Sequence, residues 1–463
     1  MRTRLLLAPL VLLAGCTLGP KYRRPAVAVP EQFRGAQPAP GSLADTKWFD
    51  LFQDEALTAA VRAALEHNFD LEIATQRVLQ ARALLGITHA DQLPLVTGQA
   101  SFSTSRPSYI GSNPMQVREG ALNAAYTQAG VGVTWDLDLW GRLRRLNEAA
   151  RAEYLATEEA RRGVVVALVG DVMSGYFTMR ERDLELEIAG RTRDIAQNSL
   201  KLVELRHARG AATGLDVHQA EQILYTATSQ IAAARRDIEQ TENAVSLLCG
   251  RAPGEVRRGQ PLEGFAVPAA IPAGLPSALL ERRPDIRRAE QTLIAANARI
   301  GAARALYFPQ ITLTGYLGAQ TRYLTDFFAH KALLASSAAP AVLAPIFNAG
   351  RTRATVRFSQ AQQREMLATY QRTIYTALRE VSDALASSTH TREQREQQER
   401  LVKAQQDSER LSNLRYKGGL DSYLQVLDSQ RNLFAGQLRL AQLRLQELQS
   451  LVQLYRALGG AWQ

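Results

Sequence analysis

Cysteine is almost absent from this chain, with Cys16 and Cys249 the only two in 463 residues. A disulfide framework is therefore excluded as the source of stability, and Cys249, within Leu247-Leu248-Cys249, reads as a small buried hydrophobe. Aromatic residues are scarce at 7%. No stretch reaches 18 consecutive apolar residues, so no helix is expected to span a bilayer, and any membrane crossing falls to strands. The six histidines, His67, His89, His207, His218, His330 and His390, lack metal-ligand spacing. Glycine-rich phosphate loops, nucleophile elbows and HExxH motifs are all missing, which leaves an enzyme as the least supported class. The net charge of +10 comes from 55 basic and 45 acidic residues spread along the chain. No basic stripe or module marks a nucleic-acid binder, and the charge reads as a salt-bridged, solvated surface.

What the chain has in quantity is Ala, Leu, Gln, Glu and Arg, which favour helix. It opens with Arg2 and Arg4, a short apolar run Leu5 to Leu13, and then Leu13-Ala14-Gly15-Cys16. That run is too short to span a membrane as a helix and reads as a leader over residues 1–15. Small residues before a cysteine resemble the lipobox of bacterial lipoproteins. The resemblance implies an S-diacylglycerol and an N-palmitoyl group on Cys16, and Thr17 after it is compatible with outer-membrane sorting.

Self-comparison shows two copies of one plan. A shift of 209 residues lays Leu202, Leu205, Arg206 and Gly210 on Leu411, Leu414, Arg415 and Gly419, and Gly250 on Gly459. Each copy reads as a strand pair, a long helix, a glycine turn and a second long helix. In the first copy Val217, Leu224, Ile231, Ile238 and Val245 recur every seven residues, with Ala220, Ala227, Ala234, Thr241 and Leu248 three further on. This is a narrow coiled-coil seam. In the second copy Leu424, Leu438, Leu445 and Val452 share the spacing, interrupted by Arg431, beside the row Leu427, Phe434, Ala441, Leu448 and Tyr455. A further row, Val426, Leu433, Leu440 and Leu454, asks for a neighbour on another side, as a ring of helices would supply. From Gly141 to about Arg206 the helical pattern is unbroken, which implies a helix on the order of 100 Å.

The strand segments alternate with period two. Ala129, Val131, Val133, Trp135, Leu137 and Leu139 face Gly130, Gly132, Thr134, Asp136 and Asp138 across the pleat. Ile311, Leu313 and Leu317 alternate with Gln310, Thr312 and Thr314, and Leu93 to Ser105 behaves similarly but more weakly. Such strands suit a membrane barrel or a half-buried soluble sheet. Four strands are too few to enclose a wide lumen, so a barrel needs oligomerisation. Pro340, within Ala338-Ala339-Pro340-Ala341, is expected to delay or bulge the fourth strand, because proline lacks an N–H donor.

The chain resembles the outer-membrane efflux lipoproteins of resistance-nodulation-division pumps, the OprM or NodT type of the TolC-like superfamily. The resemblance covers essentially the whole chain. It rests on Leu13-Ala14-Gly15-Cys16, Trp48-Phe49, Asn68-Phe69-Asp70-Leu71 and above all Leu275-Pro276-Ser277-Ala278-Leu279-Leu280-Glu281-Arg282-Arg283-Pro284-Asp285-Ile286, continued by Phe308-Pro309. It implies a long helical coiled-coil tube with four strands per chain, joined in a homotrimer into one twelve-stranded barrel. It further implies a periplasmic adaptor, an inner-membrane pump and outer-membrane lipid as partners, no cofactor beyond the lipid, and no nucleic acid. The expected division is 16–88 as lipid-anchored segment and first helix, 89–140 as first strand pair, and 141–250 as first helix pair. It continues with 251–275 as linker, 276–305 as a helix, 306–348 as second strand pair, 349–458 as second helix pair, and 459–463 as tail.

A duct also needs a gate. The second glycine turn runs Arg415-Tyr416-Lys417-Gly418-Gly419-Leu420-Asp421-Ser422-Tyr423, followed by Leu424 and Asp428 on one helix face. The resemblance implies that these two positions form the aperture, as a ring of three leucines and a ring of three carboxylates. On pattern alone, Leu424 reads as seam packing and Asp428 as a surface charge. The first copy carries Leu215 and Gln219 there, so it lacks the acid. Arg206, Gly210, Arg415, Tyr416, Gly418 and Gly419 are expected at the helix tips, as a latch or an adaptor contact. Two alternatives stand beside a drug duct: a lipid-anchored coiled-coil scaffold without a pore, and, closer, a duct for metal-ion efflux or protein secretion, which the family motifs do not separate from it.

Overall fold

The computed structural model of the chain describes residues 17–35, 42–43, 52–105, 124–268, 272–329 and 333–460. The leader, Cys16, Trp48, Phe49 and His330 lie outside the described residues. In order, the elements are α1 (Glu55–His67), α2 (Phe69–Ala90), β1 (Leu95–Ser105), β2 (Ala124–Leu137), α3 (Arg142–Ala208) and α4 (Gly214–Leu248). There follow α5 (Leu279–Arg282), α6 (Pro284–Ala305), β3 (Gln310–Thr321), α7 (Leu324–Phe328), β4 (Leu333–Leu343), α8 (Arg351–Lys417) and α9 (Tyr423–Ala457).

The duplication is carried to the residue. Helices α3 and α8 are 67 residues long, α4 and α9 are 35, and both pairs are displaced by 209. Upstream the displacement is 215: α2 matches α6, each of 22 residues, and β1 starts where β3 does. From the start of its first strand to the start of its long helix, the second copy is therefore six residues shorter.

The chain divides into two compact units. The first, Met1–Pro25, Val78–Thr157 and Ala289–Tyr370, holds the strands in one antiparallel sheet of order β1-β2-β3-β4. The register places Val96 opposite Val133, Val131 opposite Leu317 and Trp135 opposite Leu313, so these apolar side chains share a face. Thr97, Gln99, Gly130, Gly132 and Thr314 fall on the other. Among the described residues most of the apolar face is uncovered: Val96 is 62% exposed and Val131 46%. Pro340 does not interrupt β4 as expected. It pairs with Leu313 in unbroken register from Leu333 to Leu343. The reason is that successive N–H groups of a strand point to alternate sides, so one missing donor leaves the rest of the ladder to β3 in register.

In the same unit the segment after Cys16 is laid on the helices. Leu18 N–H donates to Trp140 O at 3.3 Å, Arg145 Nε donates to Leu18 O at 3.0 Å, and Asn297 Nδ2 donates to Pro20 O at 3.0 Å. Arg24 closes the strap with a two-pronged contact to Glu290 at 2.6 and 2.7 Å.

The second unit, Ala26–Arg77, Glu158–Arg288 and Gln371–Gln463, buries an aromatic centre. Phe177 is fully buried, 5.0 Å from both Phe52 and Phe265 between ring centroids. Asp54 ties three segments to that centre. Its carboxylate caps α1 by accepting from Leu57 N–H at 2.8 Å, accepts from Gln260 N–H at 2.8 Å, and accepts from Tyr176 Oη at 3.3 Å. The linker comes so close that a Cβ on Gly259 would lie 2.2 Å from Asp54 Oδ2. Burial pushes the Tyr176 phenol up to about 12.

Most seam positions of α4 and α9 are core, whereas Leu424 is exposed and Leu438 and Leu445 are half-buried. Ala220, Ala227, Ala234, Ile231, Ile238 and Val245 are buried, as are Leu427, Phe434, Ala441, Leu448 and Tyr455.

Candidate functional site

All four ends at the glycine turns belong to the second unit and converge on one cluster. Ala196 and Val203 of α3, Ala220 and Ile223 of α4, Tyr416 of α8, and Tyr423, Val426 and Leu427 of α9 pack together. Both turns reverse in the same way. Gly210 has φ +73° and Gly419 φ +74°, a backbone conformation that side chains with a Cβ disfavour. Ala211 N–H returns to Arg206 O at 2.8 Å, and Leu420 N–H returns to Arg415 O at 2.9 Å. These six-to-one bonds satisfy carbonyls that would otherwise end each helix unpaired. Thr213 and Asp216 then form a capping box that starts α4, whereas Ser422 starts α9 with no side-chain cap.

Arg206 joins the two copies. Its guanidinium donates to Tyr416 O at 3.2 Å and to Lys417 O at 3.3 Å, and stands 4.3 Å from the centroid of the Tyr416 ring. These carbonyls lie in the last turn of α8, where Tyr416 O also accepts from Gly419 N–H at 3.0 Å and a cation meets the negative end of the helix dipole. Tyr416 in turn meets Tyr423 edge-on at 5.4 Å, and burial raises the Tyr423 phenol to about 12.

Arg415 is engaged elsewhere. It grips Asp421 across its own turn at 2.6 and 3.2 Å, and that contact holds the Asp421 carboxyl below its ordinary range. Gly418 sits beside Gly419 in the turn and has an ordinary φ.

Leu424 and Asp428 lie one turn apart on the face of α9 turned away from the cluster. Leu424 is 52% exposed and Asp428 is exposed, while neighbouring Tyr423, Val426 and Leu427 are buried. Asn432 Nδ2 donates to Asp428 Oδ2 at 3.1 Å. In the first copy Leu215 is exposed likewise, and Gln219 is half-buried. Among the described residues both leucines stand exposed rather than packed in a seam. His207 and His218 stay at the surface, contacting Ala212 O and Glu221. An open groove of about 430 Å³ runs between α3 and α8 just above the turns, lined by Ile195, Ser199, Leu202, Asn413 and Tyr416 among others.

Among the candidate tip residues the structure thus brings together Arg206 and Tyr416, and sets Arg415 apart from them. Sequence reasoning missed Tyr423 and Asp421. Their signal was faint: two tyrosines seven residues apart across a turn, and an acid six residues after an arginine.

The sequence profile described as "Outer membrane efflux protein" matches residues 60–251 and 275–460, one stretch for each copy. The chain is 40% identical over 461 residues to the solvent efflux pump outer membrane protein SrpC of Pseudomonas putida, covering 98% of this chain and 97% of that one. It is 36% identical over 453 residues to the cation efflux system protein CusC of Escherichia coli, covering 97% of each. Among solved structures, the outer-membrane channel OprN superimposes with a TM-score of 0.89 at 29% identity, over 96% of this chain and 100% of that one.

Proposed function

The chain belongs to the outer membrane efflux protein family, and we propose that three copies form the outer-membrane duct of a tripartite pump, passing drugs and other small toxic compounds outward. Its fold is TolC-like, it resides in the outer membrane, and it is a channel component rather than an enzyme. The observation that carries the proposal is the sheet. Four strands with an uncovered apolar face end in β1 and β4, each with one neighbour in the chain. Exposed edges and an exposed apolar face are liabilities in water and assets in a closed membrane barrel. Three copies supply twelve strands and remove every edge.

An adaptor and an inner-membrane pump complete the path. The groove between α3 and α8, at the end of the chain that carries the turns, is where the adaptor would engage. Cys16 would carry the lipid. The strap that follows it supports this, because Thr17 lies against Gly141 at the start of α3, just after β2 ends. The acyl chains would then enter the membrane at the foot of the sheet.

The gate is read at Leu424 and Asp428. Their exposure on a face that the chain itself leaves unused supports the reading. Turned to a threefold axis, they would give an apolar constriction and an acidic ring that favours cations. Relatives named for solvent efflux and for cation efflux are both close, so the cargo is decided by assay. Deleting the gene should raise accumulation of hydrophobic dyes and solvents, restored by the parent chain. Accumulation of metal cations alone would overturn the cargo assignment, and unchanged accumulation of every compound would overturn the function.

A further inference from the structure

The turn between β3 and β4 carries a feature that neither conduction nor gating uses. Helix α7, Leu324–Phe328, packs back against β2 and β3. The register shows which face it covers. Thr127 of β2 lies opposite Phe102 and Thr321, on the same side of the pleat as Val131, Val133 and Trp135. Trp135 is 37% exposed and Val131 46%, yet Thr127 is only 4% exposed. Among the described elements α7 contacts β2 and β3 at this end of the sheet, and the burial of Thr127 supports its lying over the apolar side.

The helix does not shield its own apolar groups. Tyr323, Leu324 and Phe328 are all exposed, Phe328 to 74%, and Phe327 meets Phe328 edge-on at 6.2 Å. A five-residue segment in extracellular water gains nothing by presenting two phenylalanines, a leucine and a flanking tyrosine.

At the opposite end of the same face stands Trp135, and Tyr307 and Phe308 lie in the chain just before β3, each partly exposed. Trp135 keeps its body on that face and donates its Nε1–H to Gln92 O at 3.0 Å, the amphipathic posture of a residue at a membrane boundary. From Trp135 to Thr127 is eight residues, roughly 27 Å along a strand and roughly 20 Å once tilted by about 40°. Outer-membrane barrels carry an apolar band of about 25 Å between two aromatic girdles. The spacing therefore sets α7 at the outer girdle.

We propose that α7, with Tyr323, lies in the outer leaflet of the outer membrane, its Leu324 and Phe328 side chains seated among lipid acyl chains as a surface anchor for the second hairpin. The surface it would join is continuous with the lipid-facing band of the barrel, so the proposal rests on the channel reading above. It assigns to the Leu324–Phe328 turn a lipid partner in place of solvent or a role as a lid.

Site-directed spin labelling of the full trimer in lipid bilayers tests it. A label at Phe328→Cys should relax faster with oxygen, which partitions into lipid, than with a water-soluble nickel complex. Val131→Cys, in the middle of the apolar face, should do the same, and Gln99→Cys on the polar face should respond to nickel. Cys249 is buried and contributes little label. A nickel response at Phe328→Cys with an oxygen response at Val131→Cys would overturn the anchor and leave the barrel intact. Shielding from both reagents would also overturn it, by showing a neighbouring protein segment over α7. A nickel response at Val131→Cys would sink the barrel reading itself.

Discussion

Replacing Arg206 with alanine should free the second tip from the first. The contact has three parts: two charge-assisted hydrogen bonds to Tyr416 O and Lys417 O, and the stacked approach to the Tyr416 ring. Each hydrogen bond spans more than 3.1 Å and Arg206 is half-exposed, so both fall at the weak end for charged donors. A cation at a helix C-terminus contributes about 0.3–1 kcal/mol, and a cation over an exposed ring about 0.5–1 kcal/mol. The sum for one latch is about 2 kcal/mol, which corresponds to about a 30-fold change in an equilibrium. A gate that opens by moving the α8–α9 turn away from the α3–α4 turn must break this contact. Arg206→Ala should therefore raise the open-state population of reconstituted channels by about that factor, within the limits set by three coupled latches. Arg206→Lys, which keeps the charge and loses the planar fork, should fall between the two. The assay is open probability in planar bilayers, beside thermal stability of the trimer. Parent-like open probability in a variant of unchanged stability would refute the latch.

Other expectations follow from the second unit. Glu181 is fully buried, neither carboxylate oxygen accepts a hydrogen bond, and burial followed by the Glu185 carboxylate lifts its pKa to about 8. The folded chain then holds this proton more tightly than the unfolded one, so stability is greatest at low pH and falls as pH rises from the ordinary glutamate range toward 8. Glu181→Gln should flatten that slope in thermal melts, and an unaltered slope would place the titration elsewhere. Asp54→Ala removes a helix cap and the bond to Gln260; a loss of about 2–3 kcal/mol and faster proteolysis of the 251–268 linker are expected. Phe177→Ala should cost about 3–5 kcal/mol in chemical denaturation, because three rings lose their common neighbour.

The repeat was the legible part of the fold. Seven-residue spacing of Ile231, Ile238 and Val245 marks one seam because coiled-coil packing is a local, periodic demand. Alternation at Val131, Val133 and Trp135 marked a strand for the same reason. Pro340 misled because one missing N–H leaves the rest of the ladder in register, and the pairing is not written in the strand itself. The tip was legible as a glycine turn with arginine before it. The different employment of Arg206 and Arg415 was not, since the two are equivalent by repeat and differ only in what lies across from them. Contacts between residues about 210 apart carry no periodic trace.

The central claim is a channel constricted at the second-copy tip. Single-channel conductance in planar lipid bilayers tests it most directly, comparing the parent with Leu424→Ala combined with Asp428→Ala. The account predicts a small, cation-selective conductance for the parent, and a larger and less selective one for the double variant. Equal conductance and equal selectivity in the two would contradict it.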